Sequence, residues 1–437
     1  MEYNSILFKN TNVLVRNETG YELIRNAFLG VRGKYIDYLG ISNPPDSYDL
    51  EKDYRNRLLM PGLVNAHTHI AMVILRGIGS GLPLDRWLND VIFPSEARMT
   101  SEEIRAASYY AMLELIASGT TSFTDMYFFP EETVEAVGEA GLKANLNKYI
   151  TSFGEDISIE DSLIYPSLDF IKKYNHSYDD RIRTDFSIHA EYTNKPHIVK
   201  EYSRLCKEYG GRMHIHLSET KSEVEACLTR YGMSPVKWFE SLGTFDSPTC
   251  AAHVVWPIDD DLDILKKHNV SIMHCPTSNL LLGSGFAPVS KMLRMGINLG
   301  LGTDGTASNN NLNMFEEMHI GLIARNGFKL DANAISSEKI IDMATINGAR
   351  LQGRDDTGEI KIGKSADIIA LNLDNIHMYP LFDAPAIITK SAQASDVCLN
   401  MVNGRILYED GNFLTLDKEK IVREFKEKCE NFHKQKS

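Results

Sequence analysis

Residues 212–220 read "RMHIHLSET", with His214 and His216 two apart and Glu219 three residues further on. Along a β-strand, residues i and i+2 share a face. A strand here therefore aims both imidazoles the same way and leaves Glu219 beyond its end. The pattern recurs along the chain. Apolar or β-branched runs followed by helical patterns lie at approximately 63–69, 120–127, 143–150, 183–190, 212–217, 249–254, 270–274 and 297–303. Such alternation implies parallel strands joined by helical crossovers. Eight units within about 300 residues predict an α/β fold of the (β/α)8 TIM-barrel type.

The flanks differ from this core. "SILFKNTNVLV" and "FLGVRGKYIDYLG" precede residue 50, and "SADIIALNL" and "VCLNMVNGRILYEDGNF" follow residue 364. Each is a set of short strands punctuated by Gly, Asn and Asp. Neither set has strands enough for its own core, so the two ends are expected to pair into one small β-sandwich. The expected division is 1–58 and 357–415 for the two parts of the sandwich, 59–356 for the barrel, and 416–437 for a charged terminal helix and tail. Within the barrel, Thr100 followed by Glu103 is a capping box. The helix it opens should stop at Gly119. Another helix is expected from about Asn310. The polar stretch 151–161, "TSFGEDISIED", reads as an exposed loop.

Composition limits the function classes. The 437 residues are 43% hydrophobic and 24% charged, the balance of a soluble globular enzyme. A net charge of −13 argues against nucleic acid and anionic membrane surfaces as partners, since both need a basic face. No apolar run reaches membrane-spanning length, and the N-terminus lacks the pattern of a signal peptide. Six scattered cysteines never form C-x-x-C, which suits free thiols in a reducing cytoplasm. The expected partner is a small-molecule substrate; a homo-oligomer stays open.

Seven of the thirteen histidines fall on predicted strands or their ends: 67, 69, 189, 214, 216, 253 and 274. Active sites of such barrels are built at the C-terminal strand ends. His67 and His69, in "LVNAHTHI", share a face and can hold one metal ion. Asp304, in "INLGLGTDGTASNNN", ends the eighth strand. Gly300, Gly302 and Gly305 there match G-x-G-x-x-G, but Asp304 would repel a pyrophosphate and no ribose-binding acid follows. His189-Ala190-Glu191 echoes the H-x-E of cytidine-deaminase-type zinc enzymes without the P-C-x-x-C that they require. His253, ending the sixth strand, can orient or deprotonate a water. His274 reads as a structural histidine. His67, His69, His216 and Asp304 give three nitrogens and one carboxylate, a set that suits Zn2+, with Fe2+, Mn2+ or Ni2+ as alternatives. A bound cation brings the pKa of its water to about 7, so that hydroxide is available at neutral pH. No lysine at the fourth strand end offers itself for carboxylation, which favours one metal over two.

"PGLVNAHTHI", "HIHLSET", "AAHVVWP", "HCPTSNLLLGSGFAPV" and "LGTDGTASNNNLNMFEEM" together resemble the amidohydrolase superfamily, in the branch of 5′-methylthioadenosine/S-adenosylhomocysteine deaminases and chlorohydrolases. The resemblance implies one metal held by His67, His69, His216 and Asp304. It implies His253 at the attacking water and Glu219 as the group that carries a proton to the ring nitrogen beside the leaving amine. It also implies that Trp87 borders the purine, Glu96 accepts from the ribose hydroxyls and His189 contacts the base. Lys148 stands where adenosylhomocysteine deaminases carry an arginine for the amino-acid carboxylate, and nearby Glu155, Asp156, Glu160 and Asp161 supply only acids. Lysine lacks the bidentate fork of arginine. The implied reaction is hydrolytic deamination at C6 of adenosine, 5′-methylthioadenosine or 5′-deoxyadenosine, with S-adenosylhomocysteine disfavoured. The alternative is a deaminase or hydrolase of a free aminopurine, a pterin or an s-triazine-type ring. Within "RMHIHLSET", His216 is the expected ligand, and His214, deeper in the strand, needs a hydrogen-bond partner of its own.

Overall fold

The computed structural model describes residues 4–18, 20–153 and 157–434. Its central sheet contains eight successive parallel strands: Leu63–His69, Thr120–Tyr127, Lys143–Ile150, Phe186–Ile188, Met213–Leu217, Thr249–His253, Ser271–His274 and Leu299–Leu301. They are called strands one to eight below. Just past strand eight, the two-residue piece Asp304–Gly305 pairs in parallel with strand one, so the sheet order returns to its start. This is a mixed α/β fold with parallel pairing, consistent with the expected TIM barrel.

Two strands are more broken than their sequences suggest. The fourth was expected to run through 183–190, yet Ile182–Thr184 and Phe186–Ile188 are separate pieces. At the break, the Asp185 N–H donates to the side-chain oxygen of Asn147 on strand three at 3.0 Å instead of to a backbone carbonyl. The eighth is interrupted at Gly302–Thr303, where the Thr303 N–H donates to Asn65 Oδ1 at 2.9 Å. A Cβ on Gly302 would lie 2.7 Å from the backbone nitrogen of His67. Only glycine lets the chain pass this close to the first strand, and that passage delivers Asp304 beside His67.

The two ends of the chain share one nine-stranded sheet. Its link is the antiparallel pairing of Arg57–Pro61 with Ile368–Asn372. Phe8, Leu29, Ile36, Leu399 and Met401 belong to one apolar cluster drawn from both ends. The helix Ser101–Ala117 has the expected capping box at Thr100 and Glu103, and Gly119 follows at φ +87°. The helix near Asn310 begins at Met314, capped by Asn313. The terminal helix Lys418–Lys434 lies against Ser101–Ala117 through a stacked Tyr110–Phe425 pair, centroids 4.1 Å apart. In the 151–161 loop Ser152 is buried, whereas Phe153, Glu160 and Asp161 are exposed; Glu155 and Asp156 lie outside the described residues. Among the described residues no helix is long and apolar enough to cross a membrane. All six cysteines are free thiols.

One buried ion pair ties the two sheets together. Lys143 Nζ, at the start of strand three, lies 2.6 Å from Asp367 Oδ2. Thr357 Oγ1, Ser365 Oγ and the Asn403 N–H also donate to Asp367. Burial pushes the Asp367 carboxyl up, but Lys143 and these donors outweigh it and hold the group below its usual range. Removing one partner strands the other charge in a dry interior, at a cost of about 3–5 kcal/mol. Asp367→Ala should therefore lower unfolding free energy by about that amount in denaturant titrations near neutral pH. Because the folded-state pKa is depressed, the contribution is present above the usual carboxylate range and is lost as the pH falls through the folded value. The difference between Asp367→Ala and wild type should shrink in acid.

Candidate active site and metal centre

Strand one ends in His67 and His69, strand five in His216, and the piece after strand eight begins with Asp304. Their polar atoms converge. Asp304 Oδ1 is 3.4 Å from His67 Nε2 and 3.3 Å from His69 Nε2. The Nε2 atoms of His69 and His216 are 3.3 Å apart.

The protonation of two of these rings follows from their far sides. His69 Nδ1 is 2.6 Å from the Met126 carbonyl, and His216 Nδ1 is 2.7 Å from the His189 carbonyl. A carbonyl only accepts, so each Nδ1 carries a proton, and in its neutral form each ring turns a bare Nε2 lone pair inward. Two lone pairs at 3.3 Å repel unless something positive lies between or beside them. His67 Nε2 is buried and has no hydrogen-bond partner among the described residues. Burial also holds the His67 imidazole down to about 4, hence neutral, although Asp304 pulls the other way. Burial opposes charge on His69 too, but there Asp304 prevails and raises it to about 9. The cluster thus draws a positive charge toward Asp304. Three imidazole nitrogens and one carboxylate are a donor set for a divalent metal, with a fifth position left for water.

His253 borders the same point. His67, His216 and His253 form a second convergent group, with ligand atoms within 4.8 Å of one another, beside that of His67, His69 and Asp304. His253 Nδ1 faces Asn279 Oδ1 at 2.9 Å, which leaves its Nε2 as an acceptor 3.6 Å from Glu219 Oε2. Burial raises the Glu219 carboxyl, with His253 and the Ser284 hydroxyl opposing it. Burial also raises Asp304, but the adjacent His67 and His69 imidazoles overcome it and hold the group well below the usual carboxylate range. Ser218, His253 and Asp304 adopt φ of +49°, +74° and +64°. Left-handed backbone at non-glycine residues costs on the order of 1–3 kcal/mol each and gathers at functional sites.

The other wall of the pocket comes from the loop after strand one. Trp87 and Glu96 line it, as do Phe93, Tyr127, Tyr149 and Tyr192. Gly79, at φ +77°, crosses so near Trp87 that a Cβ would sit 3.0 Å from the indole. Burial lifts Glu96 to about 7 against the pull of His69 and Tyr127. His189 is held down to about 3 by burial and by His69 and His67, with its ring 5.4 Å from Tyr149.

The structure therefore brings together His67, His69, His189, His216, Glu219, His253, Asp304, Trp87 and Glu96. Lys148 is the exception. Its Nζ is bound to Glu131 Oε1 at 2.8 Å, and it does not line the pocket. Its neighbour Tyr149 does, because adjacent strand residues face opposite ways. Sequence reasoning passed over Tyr149 and the other pocket aromatics, although strand alternation could have flagged Tyr149. His214 finds the partners it needs in His67 Nδ1, 2.9 Å away, and the Asn147 amide, 2.7 Å away. His274 is buried outside the pocket lining, and neither ring nitrogen has a hydrogen-bond partner among the described residues.

Residues 58–407 match the model of the amidohydrolase family. The chain belongs to the amidohydrolase family. Among its relatives is a 5-methylthioadenosine/S-adenosylhomocysteine deaminase of Thermoanaerobacter pseudethanolicus, 40% identical over 98% of this chain and 99% of the relative. Another is a 5′-deoxyadenosine deaminase of Methanosarcina mazei, 37% identical over 97% and 98% of the two chains. A solved adenosine deaminase from Xanthomonas campestris with bound zinc superposes with a TM-score of 0.91 at 28% identity, covering 98% of each chain. As an amidohydrolase, the protein is a hydrolytic enzyme.

The contact from His214 to His67 carries a prediction. Groups that orient a metal-bound histidine typically contribute about 10–100-fold to metal affinity. His214→Ala should weaken divalent-metal retention by about that factor in a competition titration against a chelating dye. Unchanged affinity would remove His214 from the support of the site.

Proposed function

We propose that this amidohydrolase is a metal-dependent hydrolytic deaminase of adenine nucleosides, converting adenosine, 5′-methylthioadenosine or 5′-deoxyadenosine to the inosine analogue and ammonia. The carrying observation is one pocket in which Glu219 Oε2 faces His253 Nε2 at 3.6 Å beside the histidine–aspartate cluster, with Glu96 in the same lining. The names of the relatives, at 37–40% identity over almost the whole chain, support the same reading.

His67, His69, His216 and Asp304 would hold one divalent ion, and zinc in the Xanthomonas campestris structure favours that metal. When bound, the ion supplies Lewis-acid activation of water. The residues do the rest. His253 Nε2 orients the water by accepting one of its hydrogens. Glu219 takes a proton from that water and delivers it to the ring nitrogen beside C6, so that negative charge does not build on the purine as oxygen adds. Asp304 takes the second proton and passes it to the amine, the C6–N bond breaks, and ammonia leaves. Burial suits Glu219 to this task, since a carboxyl raised toward neutrality both accepts and releases protons. Trp87 borders the base, His189 contacts it, and Glu96 accepts from the ribose hydroxyls. Lys148, already neutralised by Glu131, offers little to an amino-acid carboxylate, which disfavours S-adenosylhomocysteine.

The same reading takes the nine-stranded sheet as a β-sandwich curled around the cluster of Phe8, Leu29 and Leu399. It divides the chain at 1–58, 59–356, 357–415 and 416–437. Six free thiols favour the reducing cytoplasm as its location.

Ammonia release from zinc-loaded protein, measured with adenosine, 5′-deoxyadenosine, methylthioadenosine and adenosylhomocysteine alongside a free aminopurine and an s-triazine, tests this function. Turnover should be confined to nucleosides and poorest with adenosylhomocysteine; preference for the free ring would overturn it. Glu219→Gln should retain the metal and lose turnover by roughly three or more orders of magnitude. Glu96→Ala should raise KM for nucleosides at least about tenfold, the loss of one hydrogen bond to a charged group. An unchanged KM would detach Glu96 from the ribose.

A further inference from the structure

The turn after strand seven reaches three of the groups assigned to the reaction. It comprises the short helix Pro276–Leu281 and the bend that runs on to Gly285. Ser278 Oγ donates to Asp304 Oδ2 at 2.6 Å, and Asn279 Oδ1 accepts from His253 Nδ1 at 2.9 Å. Ser284 Oγ donates to Glu219 Oε1 at 2.9 Å. The three recipients come from three different strand ends, so one segment sets their relative orientation.

Ser284 is the member with the most specific geometry. It is buried, and the chain on both sides of it is fixed. Its own N–H and that of Gly285 donate to the Asn279 carbonyl at 2.8 and 3.3 Å. The Trp256 indole N–H donates to the Ser284 carbonyl at 2.6 Å. Gly285 has φ +116°, and a Cβ there would meet Val255 at 3.2 Å. The hydroxyl therefore comes from a rigid bend. Glu219 is held from its other end as well: the N–H groups of Ser218 and Glu219 donate to the Glu223 carboxylate at 2.8 and 2.7 Å.

This arrangement makes the two oxygens of Glu219 unequal. Oε1 accepts from a fixed hydroxyl, which disfavours a proton on that oxygen. Among the described residues Oε2 has no such hydroxyl donor, and it faces His253 Nε2. We propose that Ser284 is a positioning residue that locks the Glu219 carboxyl by its Oε1 and thereby makes Oε2 the oxygen that carries the proton between water and the purine ring. The inference rests on the reading of Glu219 as proton carrier. No bond to Ser284 forms or breaks; it acts only through Glu219.

The test compares Ser284→Ala, Ser284→Thr and Glu219→Gln in zinc-loaded protein, with steady-state deamination of a nucleoside and metal content measured for each. Ser284→Ala should lower kcat about 10–100-fold, the range for losing a hydrogen bond to a charged group, and leave KM within about twofold. Ser284→Thr, which restores the hydroxyl, should recover most of kcat. Should Ser284→Ala fail to fold, Ser284→Cys, nearly the same shape but a weaker donor, replaces it and should show the same split at smaller amplitude. A rise in KM with kcat unchanged, loss of metal in step with activity, or no recovery in Ser284→Thr would each overturn the proposal. Wild-type rates in Glu219→Gln would remove the carrier reading itself, and this proposal with it. A large loss in Glu219→Gln beside a normal Ser284→Ala would remove this proposal alone.

Discussion

Bare imidazole lone pairs that face one another in a dry interior repel, and the rest of this site depends on how that repulsion is answered. Backbone carbonyls at Met126 and His189 take the far-side protons of His69 and His216, so neither ring can turn its N–H inward without losing a buried hydrogen bond. Asp304 adds a negative charge beside them that only a cation can offset, and it reaches the cluster only because strand eight breaks at Gly302 and slips past His67. The site is thus a place where a cation is wanted and a proton is a poor substitute, since one proton cannot satisfy all the nitrogens. Parallel pairing puts the contributors on strand ends far apart in sequence yet adjacent in space.

Around this centre the protein separates holding from reacting. Strands one, five and eight supply the cluster, and the loop after strand one supplies the wall with Trp87 and Glu96. The turn after strand seven contributes orientation, with Ser278, Asn279 and Ser284 each bound to a group from a different strand end. Left-handed backbone at Ser218, His253 and Asp304 is the cost of bending these side chains toward one point.

Much of this was legible in the sequence because period-two alternation and strand-end chemistry are local signals. "LVNAHTHI" announces two inward histidines at a strand end, and "HIHLSET" separates a ligand from a residue beyond the strand. Other features depend on contacts between distant residues and leave no local mark. The interruption of strand four needs Asn147 on strand three to accept the Asp185 N–H. The partner of His214 is His67, whose identity follows only from how the strands close. Lys148 drew notice by its position in a family pattern, whereas alternation turns its neighbour Tyr149 inward and leaves the lysine to Glu131. The three positive φ angles fall on Ser, His and Asp, where composition gives no warning, in contrast to the glycines of the 77–81 loop. Ser278, Asn279 and Ser284 lie within "HCPTSNLLLGSGFAPV", but their hydrogen bonds cross between segments and spacing alone does not assign them.

The central claim is that this cluster adds the oxygen of water to C6 of an adenine nucleoside and expels its amine. Mass spectrometry of the nucleoside product, formed by the zinc-loaded protein in 18O-enriched water, tests this most directly. The account predicts 18O on C6 of the purine at the enrichment of the water, with ammonia released in equal amount to product and the glycosidic bond intact. Free base as the product, or an unlabelled nucleoside product, would contradict it.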